Sequence, residues 1–338
     1  ARDPLRGRLG AQVARSSGEG AVRRWRGLAE VPHDWGRRAV TIGVFDGVHR
    51  GDRAVLASVV GSARAANLAP VVVTFDPHPL EVVRPGSHPA LLSTVEHRLD
   101  LLAETGLAAT LVLPFTVELS RLSAPEFVRQ VLVDVLHAGH VTVGSNFRFG
   151  HKAAGTVELL EQLGADYGFG VTGLELVPAD PAIPTGPGDP EPVSSTRIRA
   201  AVAGGDVAEA AAGLGRPHRV EGTVVEGDRR GRELGYPTAN LQPTRHAAIP
   251  ADGVYAGWLV VGGQPLPAAI SIGTNPTFDG SQRRVEAYVL DRDDLELYGR
   301  KVAIDFADRL RETVKFDSVA DLLEQMSADV AQTRELVG

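Results

Sequence analysis

The 338 residues carry 35 Lys+Arg against 42 Asp+Glu, a formal net charge of −7, with 43% of positions hydrophobic and 23% charged. A chain of that length holds two domains with cores of their own, and its acidic balance excludes a general nucleic-acid binder steered by charge. With no cysteine in the chain, disulfides, thiolate metal sites and cysteine nucleophiles are excluded together, so a bound metal is expected to be a hard ion on oxygen ligands, such as Mg²⁺.

The arginine-containing start lacks the apolar centre of a signal peptide and no apolar run is long enough to span a bilayer, which predicts a cytoplasmic protein with no membrane partner. Residues 1–20 read as a flexible leader. Residues 40–44 then alternate like a buried strand, Asp46 and Gly47 break it, and 54–66 read as a helix. A strand, a glycine turn carrying His49 and a helix start form an arrangement that sets backbone N–H groups and an imidazole against phosphate. A second strand, 71–75, ends in the stiff loop DPHP around His78, at the kind of strand end where open parallel sheets bind ligands. Helix 96–104, strand 109–113, helix 124–136, strand 140–144 and a helix from 156 follow. This alternation predicts a mostly parallel Rossmann-like α/β sheet with its singled-out loops at one edge.

Six prolines in 178–192 mark a loop, after which 194–215 read as two short helices split at Gly204-Gly205-Asp206. Beyond Arg216 the pattern changes to short apolar runs at 220–225, 253–261, 268–272, 285–290 and 301–306, separated by Gly, Pro and Asp turns, which predicts an antiparallel barrel or sandwich. A helix at 318–335 closes the chain, with Val319, Leu322, Leu323, Met326, Val330 and Leu336 available to cover the barrel. The domains are therefore drawn as 21–214 and 215–338.

In the first half His49 can donate to a triphosphate oxygen as charge builds on pyrophosphate. Ser195, Thr196, Arg197 and Arg199 supply hydroxyl, amide and guanidinium donors suited to phosphate, with a solvated helix face as the alternative for the two arginines. Asn146 with Phe147 and Phe149 can bound a pocket for a flat ring, or the two phenylalanines can be core. In the second half Gly227 and Gly231 flank a charged loop able to wrap nucleotide, and no Gly-Lys-Ser/Thr makes it a Walker loop. Thr238 and Asn240, two apart on an extended backbone, share a face and can hold Mg²⁺ and a phosphate oxygen. If Val285, Ala287 and Val289 face the core, Glu286 faces the other side, where it can take a proton from an attacking alcohol or simply meet solvent.

The segments GVFDGVHRGD, FDPHP, GSNFRFG and SSTRIR resemble the FMN adenylyltransferase module of the bacterial bifunctional riboflavin kinase/FAD synthetase family. LGYPTAN, GVY at 253–255, IGTNPTF and the strand around Glu286 are similar to its riboflavin kinase module, a six-stranded barrel. The resemblance implies ATP, Mg²⁺ and flavins (riboflavin, FMN, FAD) as ligands and small molecules as partners. It implies nucleotide contacts at Gly43, Phe45, Asp52, His78, Asn146, Ser195, Thr196 and Arg197, with His49 and Arg199 catalytic. In the barrel it implies MgATP on Thr238 and Asn240, Glu286 as base on the ribityl 5′-hydroxyl, Asn275 and Thr277 in a ligand-adjacent loop, and a C-terminal helix bordering the flavin. It does not fix the oligomeric state. One departure stands out: the family turn is HxGH, and here Asp52 occupies the second histidine's place. An aspartate that is ionised at neutral pH only accepts hydrogen bonds, which predicts weak or absent FMN adenylylation; losing one such donor costs about 10²–10³ in rate. The alternatives are a riboflavin kinase with an inactive N-terminal module, a nucleotidylyltransferase of altered specificity, and a non-enzymatic flavin-binding protein.

Overall fold

A computed structural model describes residues 22–175, 193–227, 235–277 and 280–338, with the side chains of 275–282 outside the description. The expected leader at 1–20, the whole of the proline-rich loop at 178–192 and Gly231 therefore lie outside the described residues.

Six strands, β1 (Arg23–Arg26), β2 (Arg38–Ile42), β3 (Ala69–Asp76), β4 (Ala109–Pro114), β5 (Ala138–Gly144) and β6 (Gly170–Leu174), form one parallel sheet in the order β1-β4-β3-β2-β5-β6. Every residue of β2 is buried, because helices cover both faces of a parallel sheet and a continuous apolar run suits it. β3 lies on one side of β2 and β5 on the other, so the carboxyl end of β2 is the switch point at which such sheets open a crevice. Helix α1 (Arg50–Ala65) leaves from that crevice. The short α2 (Pro79–Val83) and α3 (Val95–Ala103) follow β3, and α4 (Val117–Arg121) follows β4.

The single helix expected over 124–136 is instead α5 (Ala124–Phe127), capped by a reciprocal Ser123–Glu126 pair, running into a π-helical stretch at Val128–Val133. Val128, Val131 and Leu132 remain fully buried in the sheet's core with Val40, Val71, Leu111 and Val141, so the widened turn preserves the apolar face that the spacing had indicated. α6 (Val157–Tyr167) precedes β6. The edge strands β1 and β6 went unpredicted because their exposed polar and glycine positions carry no apolar run. α7 (Ser195–Gly204) and α8 (Val207–Leu214) form a hairpin turned by Gly205 at φ 81°.

The remaining strands are β7 (His218–Val225), β8 (Thr238–Pro243), β9 (Gly253–Val261), β10 (Gln264–Thr277), β11 (Gly280–Val289) and β12 (Lys301–Arg311), closed into a six-stranded antiparallel barrel in the order β10-β11-β8-β7-β12-β9. Val285, Ala287 and Val289 join Val220, Tyr255, Ile270, Ile304 and Phe306 in its core, leaving Glu286 and Tyr288 on the outer face as the alternation predicts.

The terminal helix, α9 (Val319–Val337), departs from expectation. Val319 and Leu336 are 59% and 48% exposed, and the helix's own buried residues include Asp329 and Thr333. Leu322, Met326 and Val330 do not seal the barrel but roof a cavity of about 350 Å³ above β8, β10 and β11. A bidentate ion pair, Arg311 to Asp329 at 2.7–2.9 Å, anchors the helix across that gap.

Candidate functional site

Two sites emerge, one at the end of β2 and one on the outer wall of the barrel. After Ile42 the chain enters a turn in which Phe45, Gly47 and Val48 all have positive φ, at 52°, 83° and 43°. The rings and methyls of Phe45 and Val48 pack into a core cluster with Leu56, Val72 and Leu102. Phe45 therefore contributes backbone rather than a side chain to any ligand. Gly43 donates its N–H to Val73 O at 3.0 Å. A Cβ on Gly47 would stand 2.9 Å from Leu92 Cβ, so this position requires glycine twice over, by conformation and by space.

The turn is held by charges of which only Arg199 had been singled out as a site residue. Asp46, 2% exposed, accepts the backbone N–H groups of Leu92 and Ser93, the Ser93 hydroxyl and the guanidinium of Arg199 at 2.8 Å. Arg98, also 2% exposed, donates to Val44 O, Thr74 Oγ1 and Phe75 O at 3.0–3.1 Å. Arg216 donates to Gly47 O and Val48 O from the far side. In the sequence Asp46 is only a strand breaker and Arg98 only a charge on an amphipathic helix; nothing local distinguishes them from solvated residues.

His49, 8% exposed, is the N-cap of α1. Its Nδ1 accepts the Asp52 N–H at 3.2 Å while the Asp52 carboxylate accepts the His49 N–H at 3.0 Å. The pair is a reciprocal capping box, the role that Ser/Thr and Glu usually share. Burial, with Arg199 and Arg216 nearby, pulls the imidazole down to about 4, against the raising effect of Asp46. His49 is thus neutral at pH 7, and with Nδ1 accepting, its proton sits on Nε2 as a donor. Burial pushes Asp52 up to about 7, helped by Asp46 and opposed by the His49 hydrogen bond and by Arg216 and Arg98. The expectation of a fully ionised aspartate is corrected accordingly: near neutral pH Asp52 is partly protonated, because its carboxyl is desolvated at the helix start.

His78 repeats the arrangement at the end of β3, capping α2 with Nδ1 toward Leu80 N at 3.1 Å, and burial lowers its pKa. Ser194 rather than Ser195 caps α7, accepting Arg197 N, while Ser195 Oγ reaches Asp46 O at 3.4 Å. Thr196 is exposed. Arg199 is engaged by Asp46 and by Ala90 O at 2.7 Å, and Arg197 by Glu209 at 2.7–2.9 Å, so both guanidiniums begin from protein partners rather than open solvent. Asn146 is exposed, and Phe149 is core, stacked on Phe147 at 5.5 Å and against Phe127. The expected two-ring slot is thereby reduced to one partly exposed face of Phe147.

On the barrel, β8 and β11 pair so that Asn240 lies opposite Glu286 and Thr238 opposite Tyr288. Thr238 Oγ1 is 3.4 Å from Glu286 Oε2. Both line the cavity under α9 with Tyr236, Ser271, Tyr288 and Arg311. On the other side of Thr238 a small hollow of about 60 Å³ is lined by Val224, Pro237, Arg292, Asp293 and Tyr298. Gly227 lies directly against Asn240, where a Cβ would come within 2.3 Å of its amide nitrogen. Asn275 and Thr277 fall on β10 in the stretch whose side chains lie outside the description. Among the described residues no cluster of His, Cys, Asp and Glu could hold a metal. The hydroxyl and amide oxygens of Thr238 and Asn240, beside a carboxylate, are the hard oxygen set that suits Mg²⁺ shared with phosphate.

Models of two families match in the same order as the two folds: FAD synthetase over residues 31–182 and riboflavin kinase over 214–337. The bifunctional riboflavin kinase/FMN adenylyltransferase of Escherichia coli K12 is 36% identical over 300 residues, covering 88% of this chain and 92% of its own. The chain belongs to the bifunctional riboflavin kinase/FMN adenylyltransferase family. A family member from Pseudomonas fluorescens is also 36% identical, over 92% of this chain and 96% of its own. A crystal structure titled as a macrolide-efflux protein from Streptococcus pneumoniae superposes with TM-score 0.79 at 31% identity, covering 93% of this chain and 99% of that one. Among the described residues no helix of this family member is long and apolar enough to cross a membrane.

Proposed function

We propose that the chain phosphorylates riboflavin to FMN on the barrel and adenylylates FMN to FAD, releasing pyrophosphate, at the end of β2, dividing at 214/215. The observation that carries the reading is the cross-strand set of Thr238, Asn240 and Glu286 between a cavity of about 350 Å³ and a glycine packed on Asn240. Thr238 and Asn240 would hold magnesium and phosphate oxygens, and the ion would supply charge neutralisation at the phosphates. Glu286 accepts the proton of the ribityl 5′-hydroxyl as it attacks the γ-phosphorus, and the cavity under α9 takes the apolar ring system. Asn275 and Thr277 are assigned to the same ligand by family resemblance.

At the sheet, the first-turn N–H groups of α1 and the Nε2 proton of neutral His49 face the charge that develops on pyrophosphate. His78 offers a second Nε2 donor, while Ser195, Thr196, Arg197 and Arg199 line the approach from α7. Gly43, Phe45 and Asn146 are assigned to nucleotide and flavin contacts, Phe45 through its backbone. Asp52 favours a second reading, a kinase whose sheet module binds nucleotide but turns over slowly, since it supplies a carboxyl where the family carries an imidazole. Incubation with riboflavin, excess ATP and Mg²⁺, resolving FMN from FAD over time, decides between them. FAD appearance supports both activities, FMN accumulation alone supports the second reading, and no conversion overturns both.

A further inference from the structure

The chain reaches the barrel through a residue that grips the other site. Leu214, the last residue of α8, packs against Gly47, with its Cδ2 placed 3.2 Å from where a Cβ would stand. Gly215, at φ 74°, then turns the backbone. Arg216 follows at once, its Nη2 donating to Gly47 O at 2.5 Å and its Nη1 to Leu214 O at 3.3 Å and Val48 O at 3.5 Å. Two residues later β7 begins.

Gly47 and Val48 immediately precede His49, whose ring and backbone form the α1 cap. Their carbonyls belong to a turn with three left-handed residues, a conformation that is strained at each non-glycine position and persists only where surroundings enforce it. Arg98 holds Val44 O and Arg199 holds Asp46, while Arg216 reaches the two carbonyls next to the cap from outside the turn. Burial lowers Arg216 to about 10, so it still brings a full positive charge behind the helix start at neutral pH. β7 in turn pairs with β8, placing Val225 opposite Asn240, so one continuous strand connects the brace to the kinase face.

We propose that Arg216 is a positioning residue for adenylyl transfer, supplied from the barrel side of the chain, that sets the phosphate-facing geometry of His49 and the α1 N-terminus. This rests on the assignment of FMN adenylylation to the β2 turn. Misplacement of a reacting group by about 1 Å costs about 10²-fold in rate, whereas the side-chain hydrogen bonds of Arg216 run to Gly47, Val48 and Leu214 on the sheet side and not to β8 or β11.

The test uses the full chain as wild type, Arg216→Met, which keeps the length and loses every donor, and Arg216→Lys, which keeps the charge. FAD formation from FMN and MgATP and FMN formation from riboflavin are followed separately, together with hydrogen exchange of the amides at 47–53. The expected result is a fall of about 10²-fold in kcat for FAD in Arg216→Met, with less change in KM, a kinase rate within about twofold of wild type, faster exchange at Val48 and Arg53, and partial rescue by lysine. Unchanged exchange and unchanged kcat for FAD in Arg216→Met would overturn the proposal, as would an equal loss of both activities, which marks a general folding defect. If wild type itself makes no FAD, the functional assignment of the turn fails, and exchange alone judges the brace: faster exchange in Arg216→Met upholds it and equal exchange ends it.

Discussion

Replacing Asp52 with asparagine is the most informative single change at the β2 turn, because it keeps the capping oxygen and removes the titration. In the folded protein Asp52 holds its proton up to about 7, against an ordinary value of 3.8. A carboxyl whose folded pKa is raised stabilises the fold fully below the unfolded value, and that advantage drains away as pH rises through the window up to the folded one. Between pH 5 and pH 8 the window spans about two pH units, and at 1.36 kcal/mol per unit the wild type loses about 2.7 kcal/mol that the asparagine variant keeps. His49 works in the opposite sense: its folded value of about 4 lies below the ordinary 6.5, so its contribution is present above pH 6.5 and lost as pH falls toward 4. His49 is common to both proteins and largely cancels in the comparison.

The assay is urea unfolding at pH 5, 6, 7 and 8 with Trp258→Phe in both backgrounds, so that Trp25 and Trp35 report only the sheet. Asp52→Asn should gain on wild type by about 2–3 kcal/mol over that pH range. A difference that stays flat from pH 5 to pH 8 would show that the carboxyl titrates normally and that its burial has no electrostatic consequence.

Glu286→Gln should lower riboflavin phosphorylation by about 10²–10⁴-fold in kcat, as removal of a general base does, while leaving FAD formation from supplied FMN intact; coupled detection of ADP and of FAD separates the two. Gly227→Ala forces a methyl to within 2.3 Å of the Asn240 amide, so the KM for MgATP in the kinase reaction should rise about tenfold or more while circular dichroism stays unchanged. Asp46→Ala strips a 2%-exposed carboxylate from Arg199 and from the Leu92 and Ser93 amides; the sheet should lose about 3–5 kcal/mol in the same fluorescence assay.

The largely apolar β2, the VVVTF of β3 and the helical spacing after Arg50 made a parallel sheet readable directly from the residues, since a strand buried on both faces is mostly apolar. The alternation of Val285, Glu286, Ala287, Tyr288 and Val289 likewise decided which side of β11 carries the carboxylate, because successive strand residues point to opposite faces. The shared face of Thr238 and Asn240 was legible for the same reason. Local sequence could not show that Asp46, Arg98 and Arg216 converge on one turn from positions 46, 98 and 216, because an ion pair or a guanidinium on a carbonyl is a long-range event with no periodic trace. Nor could it assign Phe149 to the core, or reveal that α9, packed on the barrel and tied to it by Arg311 and Asp329, leaves a cavity beneath Leu322, Met326 and Val330. Backbone pattern is set by nearest neighbours and the face they must bury, so the residues alone determined a parallel α/β sheet followed by an antiparallel β unit, and which face of β11 carries Glu286. The tautomer of His49, the protonation of Asp52 and the shape of the cavity under α9 depend on burial and on charges brought together from distant segments, and only tertiary packing decided them.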